Sequence, residues 1–320
     1  MFDFIITFFI ATAILAAVMA LSVAITLPFA GALVRWRANY NPLAVGLDQE
    51  SRVGPTLTTL FGTMKRIKRL EGWQGLWKGM YPTLMYSTLL SVLSIVFVGG
   101  SATKGPKNAY SVPEAGGVLM AIFTILLTIV SLPMTILINR AIITPYKLPN
   151  SVKGSLRILL TPLELAKPYT LYLTPGLLAT TLTHVVCATL LARTTRIFFL
   201  GVSSVTNDET VGNIAWWRWI LYLAWQCLST LWFTPLEVIA TRLSVQPNNS
   251  GDALSIEEEA PPEGISFCGA GEDVIGLRPS TEPYLGMVDC AKKIIEEEGW
   301  ASLYRGFLFT MLGSVFGSTM

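Results

Sequence analysis

The sequence predicts an all-α membrane protein: about six transmembrane helices arranged as three repeated helix pairs. Three observations carry this expectation. The 320 residues are 52% hydrophobic and only 14% charged, with a mean hydropathy of +0.54, whereas soluble domains run near about 25% charged. Long stretches of the chain carry no charge at all. A proline followed seven residues later by an arginine recurs three times, as Pro28 with Arg35, Pro133 with Arg140 and Pro235 with Arg242.

The charge-free runs define the elements in order. They are Phe4 to Val34, Gly79 to Thr103, Ala115 to Asn139, Pro168 to Ala192 and Trp219 to Leu236. A bilayer core about 30 Å thick needs about 20 apolar residues of helix, and a central charge there costs several kcal/mol. The fifth run is short at 18 residues but is flanked by Trp216, Trp217 and Trp219, a set that resembles an interfacial belt. The sixth, Gly306 to Met320, has 15 residues and makes a marginal span.

Loop charges orient the chain. Residues 35–78, 140–167 and 237–305 hold 18 of the 23 Lys and Arg residues. The positive-inside rule counts those bases, so both termini are expected to face away from the basic compartment. A Pro/Gly-rich acidic insert, 247–283, reads as disordered. Met-Phe-Asp-Phe at the start lacks the basic n-region of a secretory leader, so any organellar import signal is expected to be internal. The basic run Lys65-Arg66-Ile67-Lys68-Arg69 reads as the polar face of a surface helix.

A net charge of +2 gives no argument for a nucleic-acid partner. Cys187, Cys227, Cys268 and Cys290 show no CxxC spacing and read as small hydrophobes. With one histidine and no HExxH or GxSxG motif, the chain offers no acid–base or nucleophilic set. It is not expected to be an enzyme or to need a cofactor or metal.

The repeat extends beyond the prolines. Glu71-Gly72-Trp73-Gln74-Gly75-Leu76-Trp77-Lys78-Gly79 in the first unit matches Glu298-Gly299-Trp300-Ala301-Ser302-Leu303-Tyr304-Arg305-Gly306 in the third. The middle unit offers only Leu171-Tyr172-Leu173-Thr174-Pro175-Gly176. These units are expected at 1–110, 111–210 and 211–320.

With Pro235-Leu236-Glu237-Val238-Ile239-Ala240-Thr241-Arg242 and then Tyr284-Leu285-Gly286-Met287-Val288-Asp289, the chain resembles the mitochondrial carrier family over essentially its whole length. Its third loop is longer, and its C-terminus shorter, than is usual there. The resemblance implies the mitochondrial carrier fold: six tilted helices in three pseudo-threefold repeats. Short amphipathic helices would lie on the matrix side, and a central cavity would open to the intermembrane space.

The family pattern breaks where carriers place a salt-bridge gate. The acid positions hold Ala30, Thr135 and Glu237, and the base positions hold Leu33, Ile138 and Ala240. Five of six charges are missing, and Glu237 has no partner within the motif. The resemblance places substrate contacts at Tyr86, at Thr183 or His184, and at Gly313. His184 also reads as a helix–helix hydrogen bond. Lys78-Gly79 and Arg305-Gly306 are implied sites for cardiolipin phosphate at helix N-termini. Arg35 and Arg37 fit either loop anchoring or lipid head-group contact, the loop anchor being the favoured reading.

The first functional expectation is solute transport by alternating access in a mitochondrial membrane, inner rather than outer. Neutral contact positions favour a small neutral, weakly polar or cationic solute, since several negative charges would lack counter-charges. The alternative is a non-transporting carrier-fold protein of the outer membrane. It would act in membrane dynamics, lipid handling or protein insertion, with a protein partner on the acidic 247–283 loop.

Overall fold

The structure, a computed structural model, describes residues 2–42, 55–104, 110–111, 117–149, 151–201, 214–248, 268–269 and 273–319. Three long helices carry the repeated prolines: α1 (Phe2–Ala38), α5 (Val118–Ile143) and α9 (Trp216–Val245). Each is followed by loop-side helices. These are α2 (Leu60–Leu70) and α3 (Gly72–Leu76) in the first repeat, then α6 (Val152–Leu159) and α7 (Pro162–Ala166) in the second. In the third repeat it is α10 (Met287–Glu298). The return helices are α4 (Met80–Ser101), α8 (Leu177–Thr195) and α11 (Phe307–Thr319). A two-residue ladder, Thr103–Lys104 with Tyr110–Ser111, lies between α4 and α5.

Among the described residues, four segments are long and apolar enough by themselves to cross a membrane: Thr12–Ala38, Gly72–Ser101, Val118–Ile143 and Leu177–Leu200. The other two of the six expected spans fall short for different reasons. Helix α9 has 30 residues, but Gln226, Ser229, Thr230 and Thr234 dilute its apolar face. Helix α11 has 13 residues, about 20 Å at 1.5 Å per residue. Helix α9 packs on α8, which spans, and α11 packs on α9.

Polarity is distributed inside out relative to a soluble protein. Ile10, Ile14, Val18, Leu21 and Ile25 are exposed along α1, and Val118, Ile122, Leu126 and Val130 along α5. Their spacing of three or four residues gives each helix one apolar outer stripe. Thr230 and Thr234 on α9 are instead fully buried. Their hydroxyls donate to Cys227 O and Thr230 O of the same helix, so each polar group is satisfied where it is buried. Such a surface suits lipid as its solvent.

Burial also differs along the bundle. On α1 and α5 the buried residues cluster at and beyond the prolines, as Ala32, Arg35 and Ala38 and as Ile136, Arg140 and Ile142. These proline-bearing helices touch one another pairwise, while neighbours in sequence pack in the order α1, α4, α5, α8, α9, α11. Helix α4 buries no residue at all. Away from the loops α1, α4 and α5 are therefore loosely packed, while α8, the residues just after it and α9 stay packed there through Thr195, Leu200, Tyr222 and Gln226.

Proline leaves the carbonyl four residues earlier without its helical donor. In the first repeat that carbonyl, Ala24 O, accepts from Trp77 Nε1 at 3.0 Å. Glycine closes each loop: Gly79, Gly176 and Gly306 precede α4, α8 and α11 with φ of 83°, 75° and 83°. A side chain is strained in that region. A Cβ would also collide with the next repeat, 2.9 Å from Ile142 at Gly79 and 2.5 Å from Leu33 at Gly306.

The acidic insert needs correction in part. Residues 249–267 and 270–272, which hold most of its acids and the expected protein-docking surface, lie outside the described residues. Residues 273–283 do not read as disordered. Val274 and Ile275 are buried against Ala32, Leu60 and Ile67, because two adjacent β-branched residues find an apolar seat there. At the insert's other end Asn248 is buried and donates through Nδ2 to Thr170 O at 2.8 Å.

Candidate functional site

The loop-side end is built in two layers. The outer one is a ring of arginines. Arg35 pairs with Glu71 at 2.7 Å, Arg140 with Glu164 at 2.6 and 2.9 Å, and Arg242 with both oxygens of Glu298. Within each repeat the arginine at the proline-helix end thus grips an acid on a loop helix. Glu164 and Glu298 are fully buried, so each pair must be well made to offset its desolvation.

The same arginines join the repeats. Arg35 Nε donates to Ile142 O (2.9 Å), Arg140 Nε to Ser244 O (3.3 Å) and Arg242 Nε to Arg37 O (3.1 Å). Each acceptor lies nine residues past the next repeat's proline, so the sequence one-to-two, two-to-three, three-to-one closes a cycle. The last carbonyls of a helix lack intrahelical donors, and the guanidinium of the preceding repeat supplies them.

The ring has one irregular member. Glu71 shares its second oxygen with Lys78 (2.9 Å), which also caps Thr144 O (2.5 Å), and Arg35 Nη1 is buried with no partner among the described residues. In the other two repeats the arginine holds both oxygens of its acid. Burial by itself would raise the Glu164 carboxyl, but hydrogen bonding and charge from Arg140 hold it below its ordinary range.

The inner layer is nearly uncharged, as expected, but Glu237 is not alone. Arg37 Nη2 donates to Glu237 Oε2 at 2.5 Å and to Thr310 Oγ1 at 2.8 Å. Thr310 Oγ1 lies 2.6 Å from the same carboxylate oxygen. His184 Nε2 is 3.7 Å from Glu237 Oε1, an ion-pair distance beyond hydrogen-bond reach, and its ring meets Phe233 edge-on at 5.3 Å. Four helices, α1, α8, α9 and α11, thereby contribute to one polar cluster. Glu237 and His184 keep 27% and 30% of their side-chain surface, so the cluster is open to a solute or water.

These positions sort the expected site residues. His184 turns towards Glu237, while its neighbour Thr183 is exposed. Tyr86 is half-buried on α4. Gly313 is exposed on α11, with open space where a Cβ would stand. Pro28, Pro133 and Pro235 all lie inside helices. Arg37 is corrected from loop anchor to partner of Glu237. The lipid-site reading of Lys78 and Arg305 is corrected for their side chains, which point inward: Lys78 to Glu71 and Thr144 O, Arg305 to Glu298 and Asn39 O.

Sequence reasoning misses Glu164, the acid of the middle repeat. No glycine follows it, and it sits instead in a capping box with Thr161. The available signal is that Glu164 is the only acid between Arg140 and Asp208, while Arg140 requires one.

A family model described as mitochondrial carrier protein matches residues 223–320, the stretch with the fullest copy of the repeated motif. No curated protein matches the chain.

Proposed function

We propose that this chain belongs to the mitochondrial carrier family, whose model matches its residues 223–320, and that it moves a small neutral, weakly polar or cationic solute across a mitochondrial membrane by alternating access. The contrast between the two ends of the bundle carries this reading. The loop-side end is tied together by a cyclic arginine ring, whereas α4 buries no residue along its length and α1 and α5 bury few before their prolines. Between them stands the His184–Glu237–Arg37–Thr310 cluster, partly open. A solute entering from the loose end meets one carboxylate and one imidazole. The nearest fixed cation, Arg37, is already bound to Glu237, so a polyanion finds no free counter-charge. Tyr86 and Gly313, on α4 and α11, are the further proposed contacts, and the inner membrane is the proposed location.

Reconstitution in cardiolipin-containing liposomes tests this. Saturable uptake of neutral or cationic solutes, weakened by Glu237→Gln and by His184→Ala, is expected. Absence of uptake for every solute class contradicts it. The near-empty inner gate favours a second reading, an outer-membrane adaptor that does not transport. Protease cleavage of the 247–283 loop in intact mitochondria supports the adaptor, and protection until the inner membrane is breached supports the carrier.

A further inference from the structure

We propose that residues 273–285 form a clasp that ties the third repeat to the first across the loop-side end, and that this clasp must lift before that end can open. The inference rests on the carrier reading above and names a control built into it.

The clasp is seated by several independent contacts. Val274 and Ile275 are buried against α1 and α2. Arg66 on α2 donates to Val274 O at 2.9 Å and to Asp273 O at 3.1 Å. Just past α1, Tyr40 N donates to Gly276 O at 2.8 Å, and Gly276 N donates to Asn39 Oδ1 at 3.0 Å. These bonds fix the clasp to the first repeat.

The other end is fixed to the third repeat. Arg278 pairs with Glu297 on α10, and Tyr40 Oη donates to the same carboxylate at 2.9 Å. The Arg278 guanidinium lies 5.4 Å from the Tyr40 ring and 4.9 Å from the Tyr284 ring. Tyr284 in turn is bonded through its backbone N–H and carbonyl to the Gln246 side chain, beyond the end of α9. Nearby, Cys268 N donates to Pro145 O at 2.9 Å, beyond the end of α5 in the second repeat.

A structural filler would pack on its own repeat. This segment instead spans the seam whose two sides must part if the proline helices separate. Among the described residues, the loops of the first two repeats place no comparable segment across a neighbouring seam. Alternating access requires two packings that differ by little free energy, and contacts made in only one of them bias the population.

The test uses the full-length chain in liposomes, its native cysteines replaced and a single reporter introduced as Ser244→Cys. Ser244 is buried within the closed end; its hydroxyl bonds to Asn139 and to Thr241 O and its carbonyl accepts from Arg140, all outside the clasp. The rate at which a membrane-impermeant maleimide labels it from the loop side reports opening. Val274→Asp with Ile275→Asp is expected to raise that rate about ten-fold, the response to a shift in a two-state population.

Arg66→Ala removes the hydrogen bonds to the clasp backbone and is expected to raise the rate about three-fold with the melting temperature retained. Should the double variant unfold, this one decides. An unchanged labelling rate in folded variants overturns the clasp. The labelling needs no transported solute, so failure of the carrier reading shows separately, as absent flux in the unmodified protein.

Discussion

The two charged layers at the loop-side end are filled very differently. In the outer layer all three arginines find a buried acid and a carbonyl of the next repeat. In the inner layer five of six motif positions are uncharged, and the remaining acid is held by Arg37 from outside the motif. The outer layer meets helix-end carbonyls that any closed bundle must satisfy, so its chemistry follows from the fold. In the inner layer Leu33 and Ala240 pack against apolar clusters at positions where ion pairs are absent. On the proposed carrier reading, closing the bundle and lining the path are separate tasks carried by separate residues.

The largest effect should come from the outer ring. Arg242→Ala leaves the fully buried Glu298 without its bidentate partner, Arg305 alone remaining, and uncaps Arg37 O. About 3–5 kcal/mol of stability is expected to go, read as a fall in thermal midpoint in detergent. A variant that melts with the unmodified protein would erase the distinction between the layers.

Acid should then attack the ring at Glu164 and the clasp at Glu297. The Glu164 carboxyl is depressed from its ordinary 4.5 in the folded chain, and Glu297 is likewise depressed: burial opposes this, and Arg278 and Tyr40 produce it. A depressed folded value means stability that is complete above the unfolded value and is lost as pH falls through the folded one. The melting temperature should stay level from neutral pH to about 5 and drop below about 4.5. A drop that begins well above pH 5 would contradict this assignment to the depressed carboxyls.

Glu237→Gln, in the inner layer, should cost only about 1–2 kcal/mol of stability while reducing flux markedly. Equal losses of stability for Glu237→Gln and Arg242→Ala would collapse the comparison. Lys78→Ala should cost about 1 kcal/mol, since Arg35 keeps Glu71. The smallest effect, within about 0.5 kcal/mol, belongs to Thr183→Val on the exposed side of α8.

Features that repeat along the chain are legible in the amino-acid sequence. Proline and arginine at plus seven recur at nearly one period, a glycine precedes each return helix, and each occupies equivalent geometry in all three units. What the sequence hides depends on contacts between repeats. Arg37 reaches Glu237 across 200 residues, and no spacing inside one repeat encodes that approach. Glu164 is masked because its helix begins with a capping box and continues into a proline-led turn instead of a glycine. Residues 273–283 resemble a disordered stretch because the surrounding acids and prolines dominate their composition, although Val274 and Ile275 supply two apolar anchors.

The central claim is a bundle shut at the loop side and open at the other. It is tested most directly by placing single cysteines at Tyr86, Gly313 and Ile136 in a cysteine-free background and labelling from each face of the liposome. Cysteines at positions 86 and 313 should react with an impermeant maleimide only from the face that bears the termini. The cysteine at position 136, fully buried beneath the arginine ring, should resist from both. Reaction of the inner positions from the loop face, with the protein folded, would contradict the account.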